Sequence, residues 1–268
     1  MIRTAVIGAA GRMGRMLVAQ IQADPELVLS GAVEFPGCPL LGQDAGVVAG
    51  VGETGVKIVA RLEDVLAATD AVIDFSVPEN TLALAPAVIA AGAVLVIGAT
   101  PLTAAHKATL KALAERGGRI LATPNMSVGV NLLFALCAKV APLLAADFDI
   151  EVVEMHHNRK KDAPSGTAAR LGEILAQATE RDYAQDTVHG RVGLVGARTR
   201  REIGMHALRG GDVVGDHTVI FAADGERLEL THKASSRETF ARGALRAVKF
   251  LAAAPAGLYD MQDVLGLK

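Results

Sequence analysis

The chain has 268 residues, 51% of them hydrophobic and 21% charged, which is enough for one large domain or two moderate ones with real cores. A net charge of −2 and a pI near 6.4 argue against nucleic acid or a membrane surface as partner, so any anion it binds is expected to be small. The opening residues MIRTAVIG lack a signal-peptide layout, no apolar run reaches the roughly 18 residues that suggest a membrane span, and Cys38 and Cys137 form no metal or redox pair; the expected location is the cytoplasm.

Arg3 to Ile7 is a short apolar run ending in Gly8, followed by GAAGRMG and a helical pattern that closes before Leu27. In a strand, glycine turn and helix of this kind the glycines let the backbone approach a pyrophosphate, and the helix N-terminus adds N–H groups and a favourable dipole. The spacing departs from the usual GxGxxG: glycines stand at Gly8, Gly11 and Gly14, and Ala10 occupies the place of a second glycine. The next strand, LVLSGAVE, ends at Glu34, where an acid can hydrogen-bond the adenine ribose hydroxyls. Strand, glycines, helix and acid in this order predict dinucleotide binding, against the bland alternative of a turn that serves packing alone. Phe35 to Gly55 is glycine-rich with almost no periodicity and reads as a long loop.

From Val56 strands and helices alternate: VKIVA, LEDVLAA, AVIDF, PENTLALAPAVIAAG, AVLVIG, LTAAHKATLKALAERGG and RILATP. Short, continuous apolar strands between helices predict a parallel sheet covered on both faces, with cofactor at the strands' carboxyl ends. Asp74-Phe75-Ser76, Gly98-Ala99-Thr100 and Thr123-Pro124-Asn125-Met126 then share the edge that holds Gly8 to Gly14. Cofactor contact is expected for the last two.

From Ser127 a strongly apolar helix bridges to FDIEVVE, a strand, and then to EMHHNRKKDAPSGTA, Glu154 to Ala168. This stretch sets His156 and His157 at a strand's end, adds Arg159, Lys160 and Lys161, stops at Asp162-Ala163-Pro164, and opens a helix at Gly166 with Ser165 as its cap. Proton donors, fixed positive charge and the open N–H groups of a helix start suit a small carboxylate substrate that is protonated during reaction. A metal is not expected, since neighbours on a strand face opposite ways and no further ligand lies at suitable spacing. A merely solvated basic loop is the bland alternative. Residues 182 to 198 read as irregular, and the strands that follow include a hairpin at Asp224-Gly225, with Leu228, Leu230 and His232 on one face of its second arm and Glu229, Thr231 and Lys233 on the other. His206, His217 and His232 read as sheet residues with hydrogen-bond partners. The fold class is therefore α/β: a Rossmann-like parallel-sheet domain, then an α+β domain with an open mixed sheet.

HHxxKxDAPSGTA resembles the signature of the dihydrodipicolinate reductase family, and GxxGRMG, DFS, GAT, PNMSVGVN, RGGDVVGDHTVIF and ERLELTHKASSR resemble its other stretches, so that the likeness spans essentially the whole chain. The resemblance implies NAD(P)H-dependent reduction of a cyclic dicarboxylate to tetrahydrodipicolinate, in diaminopimelate and lysine synthesis. It implies cofactor contacts at Gly8, Ala9, Ala10, Gly11, Arg12 and Met13, at Glu34, at Gly98, Ala99 and Thr100, and at Thr123, Pro124, Asn125 and Met126. His156 becomes the candidate acid and Lys160 a cationic proton donor, with His157, Ser165, Gly166 and Thr167 holding substrate carboxylates; Arg237 and Phe240 fall near the nicotinamide. The resemblance further implies a homotetramer built by the second sheet, and a discontinuous cofactor domain, 1–126 with 236–268, around a substrate and tetramerisation domain, 127–235. NADPH-using members often carry an arginine after the acid, where this chain has Phe35; Glu34 on charge favours NADH, while Arg12 is available to a 2′-phosphate. Two other classes stay open, a different dehydrogenase on the same two-domain plan and a cofactor-sensing protein without turnover.

Overall fold

The computed structural model describes residues 1–268, which divide into two compact units, Met1–Ser127 with Glu238–Lys268, and Val128–Arg237. The first unit begins with β1 (Ile2–Ile7), α1 (Arg12–Ala23), β2 (Leu27–Val33), α2 (Ala45–Ala49), β3 (Ile58–Val59), α3 (Glu63–Leu66), β4 (Ala71–Asp74), α4 (Pro78–Ala90), β5 (Val94–Ile97), α5 (Ala104–Glu115) and β6 (Arg119–Ala122). The second holds α6 (Val128–Leu144), β7 (Asp149–His156), α7 (Gly166–Ala178), α8 (Tyr183–Asp186), β8 (Thr187–His189), β9 (Ile203–Arg209), β10 (Gly215–Ala223) and β11 (Glu226–Ala234). The chain then returns to the first unit with α9 (Glu238–Ala253), β12 (Gly257–Tyr259) and α10 (Met261–Val264).

The first sheet has seven strands in the order β12-β6-β5-β4-β1-β2-β3, all parallel. Every residue of β4 and β5 is buried, which explains their unbroken apolar sequences: both faces of such a sheet are covered by helices. On α1 the buried positions Gly14, Leu17, Val18 and Ile21 recur with the helical period and lay one stripe on the sheet. The strand order reverses direction between β1 and β4, the place where open sheets of this kind bind ligands at their carboxyl ends. α9 packs against α1, β4, β5 and β6 through Ala241, Ala244, Val248 and Leu251.

The second sheet is mixed, in the order β11-β10-β7-β9-β8, with β10 antiparallel to β7 and β11, and β9 parallel to β7 and β8. Alternation decides its two faces. Ile150, Val152, Val219 and Phe221 point inward and join Phe134, Leu171 and Leu175 of α6 and α7 in the core. The hairpin turns at Asp224-Gly225 as expected, and Leu230 reaches the core while Leu228 stays 40% exposed.

Two expectations need correction. The stretch Phe35–Gly55 is a long loop except for α2: Asp44 caps that helix through Gly46 and Val47 N–H groups and also gathers Thr54 and Gly55 N–H groups, so one carboxylate ties the segment together. Residues 182–198 are not wholly irregular, since Asp182 caps α8 and β8 follows on the sheet edge. Short caps of this kind leave no periodic signal, which is why pattern reading missed both. No helix is long and apolar enough to cross a membrane.

Candidate active site

In the first unit the predicted cofactor residues gather at one end of the sheet. Gly8 has φ +73°, a conformation glycine adopts without strain, and turns the chain from β1 into α1. A Cβ on Gly14 would overlap the Gly8 carbonyl oxygen and the Ala9 backbone, so only glycine lets the helix sit this close to the turn. The N-cap of α1 is Gly11, which offers no side-chain cap, and no acidic residue stands in the first turn; the N–H groups there suit an anionic group. Glu34 follows β2, and its carboxylate accepts the Ala10 N–H at 3.0 Å, which brings the acid against the glycine turn.

Gly98 follows β5 and Thr123–Met126 follow β6, and with Phe75 and Phe240 they line one cleft of about 170 Å³. A Cβ on Gly98 would run into the Phe75 ring. Ala99, Thr123 and Met126 are themselves buried, whereas Thr100 is exposed, so this edge offers backbone more than side chain. The Thr123 hydroxyl donates to the Asn125 carbonyl at 3.2 Å and Asn125 Oδ1 accepts the Ser127 N–H at 2.8 Å, which holds the loop in shape. Gly243 of α9 allows that helix to press on the Met126 carbonyl. These features fit a dinucleotide: a cradle that a Cβ would fill, an uncapped helix start and an acid on the turn.

In the second unit, β7 delivers Glu154 and His156 to the same face, two residues apart. Glu154 is 1% exposed, and its carboxylate takes the two arms of Arg209 at 2.8 and 2.9 Å, the Ser165 N–H at 3.0 Å and His156 Nδ1 at 2.6 Å. Burial alone would raise its pKa, but the hydrogen bonds from Arg209, His156 and Ser165 outweigh that and hold it below the ordinary carboxylate value. His217 of β10 packs its ring edge-on against His156, with centroids 5.2 Å apart, and its Nε2 lies 3.1 Å from Ser165 Oγ. Desolvation first, then the neighbouring His156, pushes its pKa down to about 3, so this imidazole is neutral.

Ser165 caps α7 as expected, its hydroxyl accepting the Ala168 N–H at 3.2 Å, and Gly166 and Thr167 form the first turn. Lys160 pairs with Asp162 at 2.9 Å and keeps a side chain 19% exposed, while Arg159 and Lys161 point into solvent, so the bland solvated reading holds for those two alone. His157 Nδ1 is buried without a partner, and desolvation, then the cations Arg159 and Arg237, lower the pKa of its ring. His156, His157, Lys160 and the α7 start thus stand on consecutive segments of one strand, loop and helix. Sequence reading gave no role to Glu154 or Arg209, and it read His217 as a sheet residue with a hydrogen-bond partner, which its contact with Ser165 bears out. The available signal was periodicity: Glu154 and His217 fall on inward positions among Ile150, Val152, Val219 and Phe221.

The family model described as dihydrodipicolinate reductase, N-terminus, matches residues 2–126, and that described as dihydrodipicolinate reductase, C-terminus, matches residues 129–265. The chain belongs to the dihydrodipicolinate reductase family. A 4-hydroxy-tetrahydrodipicolinate reductase of Syntrophotalea carbinolica is 52% identical over 268 residues, covering 100% of both chains, and one of Cupriavidus pinatubonensis is 52% identical over 98% of this chain and 99% of its own. Among solved structures, the dipicolinate-bound dihydrodipicolinate reductase of Paenisporosarcina sp. TG-14 superposes with a TM-score of 0.77 at 22% identity over 97% of each chain, which shows a shared reductase fold. Members of the dihydrodipicolinate reductase family are NAD(P)H-dependent oxidoreductases, and this chain is one.

Proposed function

We propose that the chain reduces 4-hydroxy-tetrahydrodipicolinate to tetrahydrodipicolinate with NADH or NADPH, a step of diaminopimelate and lysine synthesis. The observation that carries this reading is the full-length identity of about half to reductases of that name, on a chain whose β7–α7 segment concentrates His156, His157, Lys160 and a capped helix start. A bound nicotinamide would supply the hydride, and the conversion balances as one hydride and one proton taken up while the C4–O bond breaks and the 4-hydroxyl leaves as water. His156, in its doubly protonated form, gives the proton from Nε2, the ring nitrogen not bonded to Glu154. Lys160 contributes positive charge and a second proton source. His157, with its unpartnered Nδ1, and the first turn of α7 at Gly166 and Thr167 hold the carboxylates. Ser165 is already engaged as cap and as neighbour of His217, so it serves by fixing that turn.

On the cofactor side, Gly8, Ala9, Ala10, Gly11, Arg12 and Met13 cradle the pyrophosphate, Glu34 takes the adenine ribose, and the loops at Gly98–Thr100 and Thr123–Met126 meet the nicotinamide half. Glu34 lies against the Ala10 N–H, where its charge would repel a 2′-phosphate, so NADH is the preferred form; Arg12 is exposed and leaves NADPH usable. The enzyme works in the cytoplasm as a homotetramer. Support for association comes from the exposed positions Glu229, Thr231 and Lys233 on β11 at the sheet's edge and from Val192 and Leu194, which are 92% and 107% exposed.

The test is the loss of nicotinamide absorbance when the protein meets freshly made condensation product of pyruvate and aspartate semialdehyde, with NADH and NADPH in parallel. Rapid oxidation with a lower KM for NADH is the expected result. Cofactor binding without turnover would hand the chain to the sensor reading, and light scattering that gives a monomer would remove the tetramer.

A further inference from the structure

The reduction needs an acid whose proton is presented by one defined nitrogen, and the surroundings of His156 fix which one. The Glu154 carboxylate has four partners, and three of them, both arms of Arg209 and the Ser165 N–H, can only donate. An ionised carboxylate can only accept, so the fourth partner, His156 Nδ1 at 2.6 Å, must carry its hydrogen toward Glu154. The ring is also walled in. His217 stands edge-on at 75°, and a Cβ on Gly215 would come within 3.0 Å of His156 Nε2, so glycine there keeps that nitrogen clear.

We propose that Arg209 and Glu154 are positioning residues for the reduction: Arg209 locks the Glu154 carboxylate, and Glu154 holds the His156 ring with Nδ1–H on the carboxylate, so that the ring takes up its second proton at Nε2 and gives that proton to the substrate. The inference rests on the assignment of His156 as the acid. The pair acts through geometry, as a carboxylate behind an imidazole does when it selects one tautomer and one ring orientation. The charged and titratable groups around the ring are Glu154 on β7, His157, Lys160 and Asp162 on the following loop, Arg209 on β9 and His217 on β10. Arg209 is also anchored by the Asp162 and Leu208 carbonyls, so it is held from both sides while it grips the carboxylate.

Two measurements test this. In the ¹⁵N-labelled wild-type protein at a pH where the ring is neutral, His156 is expected to carry its proton on Nδ1; a ring protonated chiefly at Nε2 overturns the inference without any substitution. In kinetics, Glu154→Gln keeps the shape but lets an amide N–H replace the acceptor, which favours the opposite tautomer. It is expected to lower kcat by roughly 10²-fold or more with KM within a few-fold, with partial recovery in Glu154→Asp. The double variant with His156→Gln should be no slower than His156→Gln alone. A His156→Gln enzyme that turns over within a few-fold of wild type removes the acid assignment itself. A slow His156→Gln beside an Glu154→Gln enzyme of wild-type rate and unchanged pH profile removes only the positioning pair. Multiplied losses in the double variant would mean that Glu154 acts on its own, and would also overturn it.

Discussion

In the proposed function the glycine turn of the first unit and the strand-loop-helix of the second both receive negative charge, but they are built from different parts. At the turn the working surface is backbone: Gly8 bends the chain, Gly14 lets α1 approach, and Ala10 reaches Glu34 through its N–H. Around His156 the working surface is side chain, held by other side chains from β7, β9 and β10. A backbone surface is inseparable from the fold that shapes it, whereas a loop cation can be removed with the fold left standing. Substitutions in the two places should therefore differ in whether activity and stability fall together.

Lys160→Ala carries the largest expected effect and touches activity alone. A positioned acid or cation is typically worth 10²- to 10⁴-fold, so kcat should fall by about that much, while a partly exposed ion pair with Asp162 contributes at most about 1 kcal/mol to stability. Steady-state kinetics beside urea unfolding would check it, and turnover within a few-fold of wild type would take Lys160 out of the chemistry.

Gly14→Val should do the opposite and lower both. The new side chain has no room against the Gly8 carbonyl and the Ala9 backbone, and overpacking of that kind costs about 1–3 kcal/mol or more. Cofactor affinity, read by fluorescence titration, should drop with the unfolding midpoint. A variant that binds NADH as tightly as wild type would show that the turn is not the cradle.

Away from either site, Glu151 on the opposite face of β7 tests how far side-chain networks set the stability of the second unit. Burial works to raise its pKa, but Arg191, His206 and Arg198 outweigh burial and bring it from the ordinary 4.5 to about 2. A carboxylate whose folded pKa is depressed adds stability above its unfolded value and loses it as pH falls toward the folded one. The wild type should therefore lose on the order of 2 kcal/mol between about pH 4.5 and 2 from this group. In Glu151→Gln that slope should be shallower, as acid unfolding followed by circular dichroism would show, and an identical slope would assign the acid sensitivity elsewhere.

How much of this was legible in the sequence follows the same division. The parallel sheet, its glycine turn and Glu34 repeat at fixed intervals along one stretch of chain, so spacing and hydrophobic period were sufficient to find them. The His156–His157 segment and the Ser165 cap are also local. Arg209 and His217 come from β9 and β10, which meet β7 only through long-range pairing, and no local pattern joins position 154 to position 209. Glu154 was passed over although the period marks it, a carboxylate at an inward position of β7 beside Ile150 and Val152. The cap at Asp44 and the short α8 were lost because one turn of helix is too brief to show a period.

Asp162→Asn is the smallest of the expected effects and the finest test of the division. Asp162 is 63% exposed, and the hydrogen bond from Lys160, opposed by some desolvation, lowers its pKa. A side chain that merely screens a loop cation should matter little to either quantity: stability within about 1 kcal/mol and kcat within roughly threefold of wild type. Lys160 would then be placed by the loop backbone, whose Lys160 N–H already donates to the His157 carbonyl at 3.1 Å. A kcat loss approaching that of Lys160→Ala would instead make Asp162 the group that aims the lysine, and would extend side-chain control from the buried Glu154 out to the exposed rim of the loop.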